Sequence, residues 1–185
     1  MSKFKIAIIG LLLLAGGLAV AAAVWKTDPE QSTLSFVGKQ SGADFEAVFR
    51  SFTADIQFDP KALATSRFSV NIDVKSVNSK DQERDEIIRG PDLFAVEKFP
   101  TARYVADVFT DNGDGKFSAT GKLTIRDVTR NVPIEFTLQS DATGAWLRGS
   151  AALNRLDFGV GQGEWKDTEL VADAARVRFS LRLTH

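Results

Sequence analysis

Few residues of this chain could take part in catalysis. There is no cysteine, and the single histidine, His185, is the last of the 185 residues. A Ser–His–Asp triad, a histidine-based metal site and thiol chemistry therefore lack a usable member. Basic residues alternate with the one cluster of carboxylates, which favours a solvated helix face over a metal or catalytic site. That cluster consists of Asp81, Glu83, Asp85 and Glu86. The sequence thus predicts no enzyme, no cofactor and no metal site.

A charged pair near the C-terminus has two interpretations. Arg155 and Asp157 stand on either side of Leu156. They can form an ion pair that fixes the loop before the last strand, or Arg155 can bind the polar head group of a ligand. The structural role is favoured. The glycines at positions 159, 161 and 163 lack the spacing of a dinucleotide-binding loop, so we expect a plain loop in which Trp165 covers one end of the fold.

Most of the chain after residue 23 reads as β-strand, because apolar side chains recur at every second position. The alternation is clearest in the runs Phe52–Phe58, Phe68–Val74, Phe117–Ile125, Val132–Leu138, Leu147–Leu153 and Val177–Leu183. Less regular strands are expected at Thr33–Gln40, Asp44–Arg50 and Ala102–Phe109. The runs from Phe117 and Val132 are adjacent and predict a hairpin.

One segment has the features of a helix. Ser79 and Gln82 have the spacing of a capping box, and the segment runs to Arg89. Gly90 is placed to end the helix, and Pro91 prevents its continuation.

About eight strands with one polar and one apolar face would expose long edges as an open sheet. We therefore predict an all-β fold, a closed antiparallel β-barrel of about eight strands with one short helical excursion. A two-sheet sandwich has the same alternation. Several small residues share the inward faces with large aromatic ones, which favours the barrel over the sandwich. They suit a barrel that leaves room for a ligand, but aromatic and small side chains that interdigitate into a solid core fit the same pattern equally well. These small residues are Ala54, Ala119, Gly121, Gly149 and Ala151.

The N-terminus has the parts of a secretory signal peptide. Lys3 and Lys5 are followed by an apolar stretch and by small residues up to Ala23. An uncleaved membrane anchor is the alternative, since residues 6–24 carry no charge. Cleavage would leave one domain, residues 24–185, in the periplasm. That domain has 21 basic and 24 acidic residues, which predicts no nucleic-acid partner.

Six motifs in the order of the chain resemble the YceI-like family of exported lipid-binding proteins. They lie at Phe49–Pro60, Val70–Val77, Arg84–Asp85, Pro91–Pro100, Gly121–Thr129 and Arg155–Gly159. The resemblance covers residues 25–183. It implies a lipocalin-like barrel in the periplasm whose interior holds a long-chain isoprenoid, such as an isoprenoid quinone, and it implies no catalytic residues. Members bind ligands from isoprenoids to fatty-acid-like amphiphiles.

The expected ligand-binding residues are those of the inward rows, together with two aromatic residues of the helical excursion that would form a lid. They are Phe36, Phe49, Ile56, Phe68, Val70, Ile72, Phe94, Phe99, Tyr104, Leu123, Phe136, Leu153 and Phe179. The phenol of Tyr104 is a candidate hydrogen-bond donor to a ligand head group.

Two other functions stay open at this point: a solid barrel that serves as an interaction module for a membrane-bound partner, and a cofactor-free enzyme. A transient membrane contact and a homodimer are open as well.

Overall fold

A computed structural model of the chain describes residues 24–184, so the predicted signal peptide lies outside the described residues. Ten strands form a single antiparallel sheet. They are β1 Val24–Gln40, β2 Ala43–Phe49, β3 Phe52–Gln57, β4 Arg67–Asp73, β5 Val77–Asn78, β6 Thr101–Asp111, β7 Lys116–Ile125, β8 Val128–Asp141, β9 Gly144–Asn154 and β10 Ala174–Thr184.

The sheet closes because the last strand pairs with the first. The order of neighbours is β10-β9-β8-β7-β6-β4-β3-β1-β2-β5, and β10 also pairs with β1. β2 and β3 follow one another along the wall with a corner at residues 50–51, and β4 and β5 do the same, so eight strand positions surround the interior. The predicted closed antiparallel barrel of about eight strands is therefore confirmed, and the sandwich is excluded.

The predicted hairpin of β7 and β8 is formed, with Phe117 opposite Phe136. Its turn contains only Arg126 and Asp127, which both have left-handed backbone conformations, with φ values of 51° and 59°. Two consecutive residues of this kind form the tight turn that matches the twist of a hairpin. The turn directs the side chain of Arg126 towards one end of the barrel.

The helix α1, Gln82–Arg89, is shorter than the sequence predicts. Its N-cap is Asp81, whose carboxylate accepts a hydrogen bond from the backbone N–H three residues later. The capping box assigned to Ser79 is wrong, because the Ser79 hydroxyl donates instead to the buried carboxylate of Asp85 over 2.7 Å. Gly90 follows the last helical residue, as expected.

Aromatic rings fill one end of the barrel. Neighbouring rings pack mostly edge to face or tilted, with centroids 4.8–6.3 Å apart. This aromatic plug consists of Phe58, Phe68, Phe109, Phe117 and Phe136. The indole N–H of Trp25 donates to the Phe58 carbonyl oxygen over 3.0 Å and fixes the plug to the wall. The core is solid at this end.

Candidate ligand cavity

An apolar cavity of about 190 Å³ lies between the aromatic plug and the opposite end of the barrel. Engineered apolar cavities of ~150 Å³ stay free of water and bind small hydrocarbons. Eleven of the thirteen residues predicted from strand parity line it, which are Phe36, Phe49, Ile56, Phe68, Val70, Ile72, Phe94, Tyr104, Leu123, Leu153 and Phe179. Several of these side chains are half-buried, among them Phe36, Val70 and Phe179.

Phe136 and Phe99 do not line the cavity, contrary to expectation. Phe136 points inward, as its parity predicts, but it lies at the level of the plug, 5.7 Å from the Phe117 ring centre. Its neighbour Ile134 reaches the cavity instead. Phe99 lies beneath Arg126, whose guanidinium carbon is 5.4 Å from the ring centre. The residues of this excursion that line the cavity are Ile88, Leu93 and Phe94. Parity gives the face of a strand but not the height along the barrel.

The cavity has further lining residues that were not predicted, and two groups of them show why. Val177 and Leu181 share the inward face of Phe179, so the same alternation could have found them. Residues from the loop after β9 carry no periodic signal, and only the folded chain shows that they reach the interior. These are Phe158, Val160, Val171 and Ala172.

The two inward glycines make room for rings of the wall rather than for a ligand. A Cβ added at Gly121 would lie 2.3 Å from Tyr104 Cζ, and one at Gly149 would lie 2.4 Å from Phe179 Cζ. Of the five small residues on which the expectation of internal space rested, only Ala151 lines the cavity. The prediction that these small residues leave space for a ligand is therefore wrong for the other four.

The Tyr104 hydroxyl has a partner within the wall. It donates to the carbonyl oxygen of Val132 over 3.1 Å. Burial raises the pKa of the Tyr104 phenol well above its usual range, so the group stays neutral. Its proton is directed to Val132 rather than into the cavity.

The end opposite the plug is covered by two segments, residues 82–99 and 159–173, which we call the cap. The guanidinium of Arg126 donates to the carbonyl oxygen of Pro91 over 2.9 Å and also to that of Leu93. The carbonyl oxygen of Asp92 accepts hydrogen bonds from two successive backbone N–H groups of the second segment, over 2.9 and 2.8 Å. The two segments are thus tied to each other and to the β7–β8 turn.

Arg155 fixes the second cap segment from inside. The residue is 7% exposed, and its guanidinium donates to the carbonyl oxygens of Val160, Val171 and Ala172 over 2.8, 2.7 and 3.1 Å. Burial lowers the pKa of the Arg155 guanidinium from its usual value. The expected role in holding the loop fits this geometry, but the predicted partner is wrong: Asp157 is exposed, and the acceptors are backbone carbonyls.

The chemistry of the cavity is that of an apolar container. Tyr104 and Arg155 are the titratable residues among those that line it, and no carboxylate is among them. Within residues 24–184, no group of three His, Asp or Glu side chains is placed to hold a metal ion. In the same range, no helix has the length and apolarity needed to cross a bilayer.

Comparison with known proteins gives relatives along nearly the whole described chain. The family model of the YceI-like domain matches residues 25–183. A UPF0312 protein of Vibrio parahaemolyticus is 30% identical over 178 residues, which cover 85% of this chain and 94% of that protein.

Two solved structures share the architecture. The crystal structure of Burkholderia cenocepacia BcnA has a TM-score of 0.83 and 32% identity, and the match covers 86% of this chain and 100% of that one. A polyisoprenoid binding domain from Saccharophagus degradans has a TM-score of 0.70 and 17% identity, with 88% of this chain and 98% of that one covered. At that identity the second structure shows a common fold.

Proposed function

The chain belongs to the YceI-like family, and from this membership and its barrel interior we propose that it binds a long apolar lipid of the polyisoprenoid class. An isoprenoid quinone is the leading example of such a ligand. The chain would run through the cavity between the aromatic plug and the cap. The protein would act as a carrier or store rather than as an enzyme.

The observation that carries this proposal is the composition of the cavity wall. Of its 33 lining residues, 31 are glycine or have pure hydrocarbon side chains. The two exceptions are Tyr104 and Arg155, and both donate their hydrogen bonds to backbone carbonyls. Such a wall offers an entering ligand apolar contact and little else. Transfer of a hydrocarbon chain from water gains roughly 0.8 kcal/mol per CH₂ group, so a long isoprenoid is favoured over a small polar molecule.

The fold is one that can hold such a ligand. The Saccharophagus degradans domain, a polyisoprenoid binding domain, has the same architecture. Catalysis would require an acid, base or nucleophile beside the ligand, and no carboxylate, histidine or cysteine lines the cavity. Binding therefore accounts for the site without further groups.

The proposal places the protein in the periplasm. Its support is the pattern of Met1–Ala23, with basic residues, an apolar stretch and small residues in succession. N-terminal sequencing of the protein from its native cell, together with fractionation, tests this part. A mature chain that starts near residue 24 in the periplasmic fraction is expected, whereas an intact Met1 in the membrane fraction would favour the uncleaved anchor.

Mass spectrometry of lipid extracted from detergent-free protein tests the ligand. We expect a stoichiometric long-chain isoprenoid in the native protein and its loss in the variant Val70→Phe, because Val70 is half-buried and faces the cavity. The matched control is Val108→Phe, since Val108 is 62% exposed on the outer surface of β6. An empty native protein that also fails to take up added isoprenoids would contradict the proposal.

A further inference from the structure

The barrel wall has a gap beside β1. Along one edge, β1 pairs with β2 up to Leu34 opposite Phe49, and it next pairs with β3 at Trp25 opposite Ile56. The hydroxyl of Thr27 also donates to the Ala54 carbonyl oxygen over 2.7 Å. Between these points, residues 28–33 of β1 and residues 50–53 of the facing wall have no ladder pairing with each other in the part of the chain that the structure describes. We call this interval the side gap.

The side gap is built into the fold on the side of β1. Its register against β10 shifts between Asp28 and Thr33, so the residues between them bulge from the wall. The carboxylate of Asp28 accepts the backbone N–H groups of Glu30 and Gln31, over 3.0 and 3.3 Å. The hydroxyl of Ser32 donates to the Asp28 carbonyl oxygen over 2.5 Å. These local bonds hold the bulge in shape.

The corner at residues 50–51, which faces β1 across the gap, is also held by hydrogen bonds, but these run away from β1. The backbone N–H of Arg50 donates to the Ser76 carbonyl oxygen over 3.2 Å, and that of Ser51 donates to the Ser76 hydroxyl over 3.0 Å. The Ser51 carbonyl oxygen accepts the N–H of Asp73 over 3.0 Å. The corner is therefore bonded to the neighbouring strand and not to β1, so the gap persists in the folded protein.

An outer groove of about 390 Å³ lies over the side gap. Its lining residues come from the bulge and from the facing corner, and they are Pro29, Ser32, Thr33, Val48, Phe49, Arg50, Ser51 and Phe52. Phe49 and Phe52 also line the internal cavity. Both are half-buried. Where the strands are not paired, these two side chains separate the outer groove from the interior.

The groove exposes polar side chains that are available to bind a ligand. Within the described chain, the side chains of Thr33, Arg50 and Ser51 make no hydrogen bond or ion pair, and all three residues are exposed. A guanidinium and two hydroxyls in one groove suit an oxygen-bearing head group that accepts hydrogen bonds. The apolar side of the same groove is formed by the two phenylalanines.

The two ends of the barrel are closed more firmly than the wall. The aromatic plug fills one end. At the other, backbone carbonyls of the cap accept hydrogen bonds from Arg126 and Arg155, and the tip of the β1–β2 hairpin joins the cap through the Ser41 N–H and the Leu170 carbonyl oxygen, 2.9 Å apart. Opening an end would break several of these bonds, whereas a path between residues 28–33 and 50–53 requires rotation of two rings and leaves the hydrogen bond between Thr27 and Ala54 in place.

We propose that the side gap is the portal through which the ligand enters and leaves, with Phe49 and Phe52 as its gate. The isoprenoid chain passes between these rings into the cavity. The oxygen-bearing head group stays in the outer groove, bound by Arg50 with Thr33 and Ser51. This inference rests on the proposed function, because it concerns the same ligand.

A single-cysteine experiment tests the portal, since the natural chain has no cysteine. The variant Ser51→Cys is labelled with a bulky maleimide, and Asp114→Cys, in the exposed β6–β7 turn beside the plug, is the labelled control. Each protein is loaded with an isoprenoid quinone, and its transfer to acceptor vesicles is timed. Equilibrium binding of the quinone is measured separately.

We expect the Ser51 label to slow transfer by roughly tenfold or more, while the control label leaves the rate unchanged. Equal rates in both labelled proteins would overturn the portal, whether both are fast or both are slow. If unlabelled protein does not bind the quinone at all, the proposed function itself fails, and that outcome is recognised from the equilibrium measurement alone.

The head-group contact is tested with two probes. We expect Arg50→Ala to speed the release of a polyprenyl phosphate by roughly tenfold and to leave the release of squalene, which has no head group, unchanged. Arg103→Ala, a change of the same type at an exposed position of β6, is the control. Equal effects of Arg50→Ala on both probes, or an effect on neither, would contradict the assignment of the outer groove.

Discussion

The ring of Tyr104 on β6 leans diagonally over Gly121 on β7 and occupies the space that a side chain at Gly121 would need. In the ladder, Tyr104 pairs with Leu123 and Gly121 pairs with Ala106. A Cβ at this position would lie 2.3 Å from Tyr104 Cζ and 2.5 Å from its hydroxyl oxygen. The ring is thereby held over the strand, and its hydroxyl reaches the carbonyl oxygen of Val132 on β8. One glycine thus allows one tyrosine to connect three strands across the cavity wall.

The variant Gly121→Ala is therefore expected to lower the free energy of unfolding by about 1–3 kcal/mol, because the ring must move or the strand must shift. Urea unfolding of the purified protein measures this loss. Lys122→Ala, at the adjacent exposed position of β7, is the control and should change stability far less. A Gly121→Ala protein as stable as the native one would show that the Tyr104 ring moves freely.

The strands and their faces could be predicted from the sequence, because alternation with period two is a local property that the barrel preserves. The inward direction of Phe136 was correct, yet its position in the plug was not, since height along the barrel depends on the register of all the other strands. The roles of Gly121 and Gly149 were misread for the same reason. Whether a small residue leaves a void or receives a ring depends on its neighbour across the sheet.

The cap shows a different limit of sequence reasoning. Arg126 and Arg155 lie in two of the motifs that resemble the YceI-like family, but their acceptors are backbone carbonyls, which every residue has. No pattern of side chains can reveal such a partner. The side gap is equally hidden, because it is an absence of pairing between two segments of the chain, and a sequence pattern does not show which strands pair.

Replacing Arg126 should loosen the cap without unfolding the barrel. In Arg126→Ala the carbonyls of Pro91 and Leu93 lose a charged donor, and we expect a loss of about 1–2 kcal/mol in stability. Amide hydrogen exchange should rise in residues 91–99 more than in the strands. Arg130→Ala, an exposed arginine of β8, serves as the comparison; an equal rise in exchange for both variants would argue against a local role.

The ion pair between Asp141 and Arg182 makes the free energy of unfolding depend on pH in the acidic range. Hydrogen bonds from the Arg182 guanidinium, 2.6 and 3.0 Å long, hold the pKa of the Asp141 carboxyl well below its ordinary value of 3.8. Since the folded pKa is the lower one, this contribution is complete above pH 3.8 and is lost as the pH falls towards the folded value. The stability difference between native protein and Asp141→Asn should therefore shrink below that pH.

Unfolding by urea across the acidic range measures that difference. Asp107→Asn, which alters an exposed carboxylate on β6, is the control, and its small difference from the native protein should not follow the same curve. A difference in stability between the native protein and Asp141→Asn that stays constant from neutral pH down to strong acid would contradict the assignment of the lowered pKa to this pair.

Arg155 is expected to be the most sensitive residue of the cap, because three carbonyls depend on one buried guanidinium. In Arg155→Met the volume is largely kept, but the carbonyls of Val160, Val171 and Ala172 lose their donor. Leaving buried carbonyls without the charged donor costs about 2–3 kcal/mol. Arg178→Met, at an exposed position of β10, is the matched change and should be nearly neutral.

A second readout separates this positioning role from a contact with the ligand. If Arg155 only fixes the cap, Arg155→Met should accelerate amide exchange in residues 159–173 and weaken the binding of squalene and of an isoprenoid quinone to the same extent. A loss confined to the quinone would instead assign Arg155 to the ligand head group. It would also move that head group from the outer groove beside Arg50 to the end of the barrel beneath the cap.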